Sequence, residues 1–141
     1  GYNYRMTNIQ AVIGKDQLNR LPGWVERRHE NARQLTDQLK AIDDIRTPTI
    51  PADRTHAFHQ YTIVTDDRAA VKSRLETADV GYGVYYPITI PDQPAYDREA
   101  TIPVARRLSD SVLSIPVHPQ VDDDEIETVA GAVSTDLGVE Q

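Results

Sequence analysis

Apolar residues set two helical rhythms near the start of the chain. Ile9, Val12, Ile13 and Leu21 recur at three- and four-residue spacing, and beyond Pro22 the set Val25, Ala32, Leu35, Leu39 and Ile42 resumes it. Thr7 and Gln10 stand three apart just ahead of the first set, the arrangement in which a hydroxyl and an amide cap each other's backbone N–H groups. A helix is therefore predicted from Thr7. Pro22 lacks an N–H and crowds the preceding turn, so the segment is expected as two helices or one kinked helix. Glu26, Arg27, Arg28, Glu30 and Arg33 are expected to face water, with Glu30 and Arg33 close enough for weak pairing. Asp43-Asp44 close this helical lead-in, residues 1–43, and residues 44–141 are expected to form a small α+β domain.

The second part changes period. Thr47-Pro48-Thr49-Ile50-Pro51 reads as an extended connector. Tyr61 to Thr65 has the β-branched and aromatic content of a strand. Asp66-Asp67 cap a helix in which Val71, Leu75 and Ala78 share a face. Tyr82 to Tyr86 reads as a second strand, and Val112 to Ile115 as a third that Pro116 stops, with a short helix between them. Asp122 and Glu125 form another capping pair, followed by Ile126, Val129, Ala130, Val133 and Leu137 at helical spacing. The fold class expected from this order is α+β, a small, mainly antiparallel sheet with helices on one face.

Composition removes several functions. The 141 residues contain no cysteine, which excludes disulfides, thiolate metal sites and a cysteine nucleophile. The net charge of −7, from 22 acidic and 15 basic residues, disfavours nucleic acid or an anionic membrane as partner. No stretch reaches the length of a membrane span, and a cytoplasmic protein is expected. Arginine outnumbers lysine, which occurs only as Lys15, Lys40 and Lys72; abundant Asp beside scarce Lys would also suit a high-salt setting. No phosphate loop, G-x-S-x-G elbow or paired catalytic carboxylates stand out, and Asp122-Asp123-Asp124 are accounted for by capping and the helix dipole. His56-x-x-His59 has chelating spacing but no partner to complete a site, so no metal is expected.

Two constellations remain. Asn3 and Arg5, held on a short arm ahead of the first helix, offer an amide donor and a planar cationic fork to an anion. The competing reading is a turn-closing Asn and a solvated Arg. Tyr85 and Tyr86 end the expected second strand beside a proline-rich loop, where side chains meet ligands; alternation along a strand would instead bury one and expose the other.

The run Gly1-Tyr2-Asn3-Tyr4-Arg5-Met6-Thr7-Asn8-Ile9-Gln10-Ala11 resembles the G-x-N-x-R-[ML]-x-x-[LI]-Q-A stretch of the DegT/DnrJ/EryC1/StrS sugar aminotransferases. The likeness continues in order. Tyr86-Pro87 and Gln93-Pro94-Ala95-Tyr96 match a motif like [HY]-Y-P-x-P-L-H-x-Q-P-x-Y, His59-Gln60-Tyr61 matches H-x-Y, and Leu113-Ser114-Ile115-Pro116-Val117-His118-Pro119 matches L-S-[LI]-P-x-H-P. Thr89, Ile90 and Pro91 depart from it, Pro91 standing where the pattern has His, and Arg106 reverses the charge of a P-x-A-E run. The resemblance covers Gly1 to about Val133.

It implies the C-terminal domain of a fold-type-I, aspartate aminotransferase-like enzyme. The implied activity is transfer of an amino group, from a donor such as glutamate, to a keto-sugar carried on a nucleotide, in amino-sugar or cell-surface polysaccharide synthesis. The implied cofactor is pyridoxal 5'-phosphate, and the implied assembly a homodimer whose active site crosses the interface. On that resemblance Asn3 contacts the cofactor phosphate, Arg5 an anionic group of substrate or donor, and Tyr86 and His59 the substrate. For His59 a packing role competes, and the segment with His118 is expected to help pack the last helix. The family's cofactor-binding lysine precedes the G-x-N-x-R stretch, and none of Lys15, Lys40 or Lys72 matches it. The chain is thus expected to be the tail of a longer enzyme and inactive alone. The alternative is a non-catalytic remnant serving as a dimerisation or substrate-recognition module.

Overall fold

A computed structural model describes residues 2–96 and 98–134. Helix α1 runs from Asn8 to Leu39, strand β1 is Ile45–Arg46, β2 is Tyr61–Thr65, and α2 is Arg68–Thr77. Helix α3 spans Pro103–Ser111 and leads directly into β3, Val112–Ile115, before α4, Asp123–Val133. The strands lie in the order β1-β2-β3, antiparallel throughout. The α+β expectation therefore holds. Leu137 lies outside the described residues.

Register follows the pattern of apolar side chains. Tyr61 pairs with Ile115 and Ile63 with Leu113, so four apolar side chains share one face of the sheet. Leu35 and Leu39 of α1, Leu75 of α2 and Ile126 of α4 cover that face, all of them fully buried. Each such side chain contributes roughly 1.5–3 kcal/mol by leaving water. The Tyr61 hydroxyl lies 2.7 Å from that of Thr36, so the one polar atom this ring brings into the core has a partner. Helix α3 stands apart, with Ser111 its one buried residue.

Of the two forms expected at Pro22, helix α1 takes the single one and runs on through it. Leu18, whose carbonyl loses its intrahelical donor, is exposed, and water can supply the missing hydrogen bond. Tyr82 to Tyr86 is not a strand. Only Gly83 pairs with the sheet, exchanging bonds with Ser114 at 2.9 and 2.7 Å. The sheet's remaining strand is instead β1, which sequence pattern missed because two residues are too short to show a period. Ile45 reaches it through a tight turn, its N–H bonding the Ile42 carbonyl at 3.0 Å.

The caps are as the sequence reads. Thr7 with Gln10 and Asp122 with Glu125 form reciprocal boxes, and Asp67 accepts from the Ala70 N–H at 3.0 Å. Helix α2 ends in a Schellman turn, with Val80 N–H bonding Leu75 O at 2.8 Å and Asp79 N–H bonding Glu76 O at 3.2 Å. Asp79 occupies the left-handed position at φ 54°. Asp79→Gly is expected to raise stability by up to about 1 kcal/mol, since relief of the left-handed strain outweighs the extra freedom glycine gives the unfolded chain. Urea unfolding checks this, and a loss of stability would contradict it.

Candidate functional site

The N-terminal half of α1 is an arm. Residues 8–13 and 15–23 are exposed, and the first fully buried residue of the helix is Asn31. Arg27 makes the first long-range bonds of the helix, to the Val121 carbonyl at 3.0 Å and the Asp123 carboxylate at 2.8 Å. At 1.5 Å per residue the start of α1 lies roughly 30 Å from that anchor. Asn3 and Arg5 sit beyond its tip, both exposed. Tyr2 and Tyr4, 87% and 89% exposed, stack on each other with ring centroids 5.6 Å apart. Met6, Ile9, Val12 and Ile13 continue this uncovered apolar surface.

The charged run on α1 is not simply solvated. Arg28 donates to the carbonyls of Phe58 at 2.8 Å and His59 at 3.3 Å, fixing the segment that enters β2. Arg27 and the buried Asn31 do the same for the segment after β3: Asn31 Nδ2 donates to the His118 carbonyl at 3.0 Å. These partners are 30 to 96 residues distant in sequence, beyond what local pairing rules detect. Glu30 and Arg33 do pair on the surface, at 2.6 Å.

Those two fixed segments border a cleft of about 440 Å³. Arg28, His59, His118, Tyr82 and Tyr85 line it, and among its described lining residues there is no carboxylate. In a chain of net charge −7 such a lining is a local inversion that favours an anion. His59, expected near substrate, is here; Tyr85, one of the two tyrosines expected to meet ligand, joins it, as does His118, for which only packing was expected. A Cβ at Gly83 would lie 2.5 Å from the Tyr85 ring, so any side chain there would displace that ring from its place in the cleft.

Tyr86, 73% exposed, turns into a second, more apolar cleft of about 480 Å³, between the loop after it and α3. Neither tyrosine is in the core, so the strand alternation that would bury one fails with the strand itself. The charge reversal at Arg106 finds its partner in this loop. Arg106 grips the Asp92 carboxylate with two donors, at 2.8 and 3.2 Å, and the Thr89 hydroxyl donates to it as well. Arg106 first, and Thr89 second, hold the Asp92 carboxyl down at about 2 against an ordinary 3.8. A depressed carboxylate stabilises the folded loop above the unfolded pKa, and that contribution disappears as pH falls through the folded one. Carboxyl NMR should find Asp92 titrating near 2, and an ordinary midpoint would refute the pairing.

Asn3 and Arg5 can offer donors to a phosphate or carboxylate. No lysine stands ready to hold a carbonyl cofactor. Lys15 is on the exposed arm, Lys40 pairs with Asp37 at 2.7 Å, and Lys72 lies 5.4 Å from the centre of the Tyr82 ring. Within this chain the residues thus fit the phosphate end of pyridoxal phosphate and not its aldehyde. Among the described residues no group of three or more His, Asp or Glu is arranged to hold a metal, and no helix is long and apolar enough to cross a membrane.

The profile of the DegT/DnrJ/EryC1/StrS aminotransferase family matches residues 1–134. The chain belongs to this family. It is 32% identical over 139 residues to the UDP-N-acetyl-3-dehydro-alpha-D-glucosamine 3-aminotransferase of Acidithiobacillus ferrooxidans, covering 97% of this chain and 37% of that protein. It is also 32% identical over 135 residues to the UDP-2-acetamido-2-deoxy-3-oxo-D-glucuronate aminotransferase of Pseudomonas aeruginosa, covering 95% and 37%. The fold superposes on S. venezuelae DesV, solved in complex with a ketimine intermediate, with a TM-score of 0.89 and 27% identity over 94% of this chain and 37% of that one. The chain therefore spans little more than a third of the length of these relatives.

Proposed function

We propose that this chain is the C-terminal part of a pyridoxal-phosphate-dependent aminotransferase that transfers an amino group from a donor such as glutamate to a keto-sugar nucleotide. The setting of this reading is amino-sugar or surface-polysaccharide synthesis in the cytoplasm. The named relatives act on nucleotide-linked sugars, which supports the substrate class.

The observation that carries the assembly is the arm. The start of α1 lies roughly 30 Å along the helix from its first anchor at Arg27, and Asn3 and Arg5 precede it, so the arm carries them away from Arg28 and the His59 carbonyl it bonds. A homodimer resolves this: the arm of one subunit enters the site of its partner, and the exposed apolar side of α1 is covered there. Asn3 then donates to the cofactor phosphate, and Arg5 pairs with a carboxylate or phosphate of donor or substrate. His59 lines the carboxylate-free cleft suited to the anionic part of the substrate, and Tyr86 meets the sugar. The cofactor, when bound, supplies the electron sink for amino transfer.

The Asp92–Arg106 pair counts against the reading of a decayed remnant, since the departure at Arg106 has gained a complementary partner.

The test is an amino-transfer assay on the polypeptide encoded by the whole reading frame, screening UDP- and dTDP-linked keto-sugars with glutamate. Turnover is expected with at least one of them, and none from the 141-residue chain alone. No reaction with any keto-sugar would sink the proposal, and turnover by the isolated chain would sink its dependence on residues outside it.

A further inference from the structure

Among the described residues, the side-chain bonds that tie the loop beginning at Tyr86 to α3 converge on one carboxylate. Arg106 on α3 supplies two donors to Asp92, and Thr89, in the same loop, supplies a third. Backbone bonds make the loop a compact unit: Asp92 N–H to Thr89 O at 3.1 Å, Gln93 N–H to Ile90 O at 3.2 Å, and Arg98 N–H to Pro91 O at 3.0 Å. Apolar packing does little to hold that unit down. Ile88 and Ile90 are exposed, and an open cleft separates the loop from Ile102 and Leu108. With so little burial opposing displacement, the separation of loop and helix depends on the ion pair.

We propose that Asp92 and Arg106 form a latch that positions the Tyr86 loop, and so determine how tightly the sugar of a nucleotide-sugar substrate is held. The role in substrate binding rests on the transaminase reading above; the latch itself does not. Neither residue touches the reacting atoms on this account. Both are positioning residues, acting through Tyr86. Thr89 contributes by presetting the carboxylate for the planar guanidinium fork, a geometry that a lysine at 106 would not reproduce.

A partly exposed pair has a modest effect even when bidentate, so breaking the latch should loosen binding without abolishing the enzyme. In the full-length polypeptide, Asp92→Asn and Arg106→Gln are each expected to raise KM for the sugar nucleotide by roughly three- to tenfold. The kcat and the KM for glutamate should stay within about twofold, a split that general loosening of the fold would not give. The reversed pair Asp92→Arg with Arg106→Asp should recover much of the lost affinity. In the 141-residue chain, the Asp92 carboxyl should titrate near 2, and in Arg106→Gln it should move toward 3.8. An unmoved midpoint overturns the latch, and a moved midpoint with unchanged KM overturns its positioning role. If no keto-sugar is aminated by the full-length protein, the transaminase reading fails separately. Calorimetric binding of the same UDP- and dTDP-sugars to the same variants then decides the positioning role, weakened binding supporting it and equal binding overturning it.

Discussion

Arg5→Ala in the full-length polypeptide is expected to lower kcat/KM by roughly ten- to hundredfold, the range for losing one charge-assisted hydrogen bond. Its melting temperature should hardly change, because Arg5 is exposed and makes no bond within the described chain. The assay can also locate the site that Arg5 serves. If Arg5 acts in the partner's site, a mixed dimer of Arg5→Ala and Tyr86→Ala subunits contains one site with both residues intact and one with neither. Such a mixture should regain activity that neither variant has alone. If Arg5 serves its own subunit, every site in the mixture is defective and nothing is regained. Unchanged kinetics in the single variant would return Arg5 to the solvated surface.

Local rules carried the sequence a long way on this fold, and their failures share a cause. Helix starts at Thr7, Asp67 and Asp122 are set by side chains bonding backbone three residues away, so each was visible in the order of residues. The apolar spacing from Ala32 to Leu39 and from Ile126 to Val133 likewise marked the buried faces of α1 and α4. At Tyr82 to Tyr86 the composition of a strand was present, but pairing stops after Gly83 and the chain turns away into the proline-rich loop. Strand formation needs a partner, and composition does not show whether one is there. The expectation that Arg27 and Arg28 face water failed in the same way, because their acceptors include loop carbonyls far along the chain.

The candidate site was legible in part. His59 and Tyr86 were selected on motif resemblance, but they line different clefts, with Tyr85 belonging to both. The segment with His118 was expected to pack, and its carbonyl does accept from Asn31, yet the residue also lines the cleft that His59 lines. The Asp92–Arg106 pair was unreadable because its members lie 14 residues apart on a loop and a helix whose approach follows from tertiary structure. The exposed arm was foreseen only as an apolar helix side. Periodicity identifies an apolar face but not whether its cover comes from the same chain.

Leu35→Ala is expected to cost about 2–5 kcal/mol of stability, whereas Val12→Ala on the same helix should stay within about 0.5 kcal/mol in the dissociated chain. Both delete methyl groups from apolar positions of α1, yet Leu35 is 0% exposed in the core and Val12 is 71% exposed on the arm. At Leu35 the loss combines transfer free energy with a cavity that the sheet and α4 cannot fully close. At Val12 nothing is uncovered, and alanine's higher helix propensity offsets what little contact is lost. Urea unfolding at low protein concentration should therefore separate the two by several-fold in free energy. Association reverses the order of interest: Val12→Asp, neutral to the fold, should weaken self-association of the full-length polypeptide, measured by sedimentation, because it places a charge on the apolar surface that the proposed dimer would cover. Equal destabilisation by Leu35→Ala and Val12→Ala in the monomer would mean that α1 packs on its own domain along its whole length, and the arm that delivers Asn3 and Arg5 to a partner would not exist.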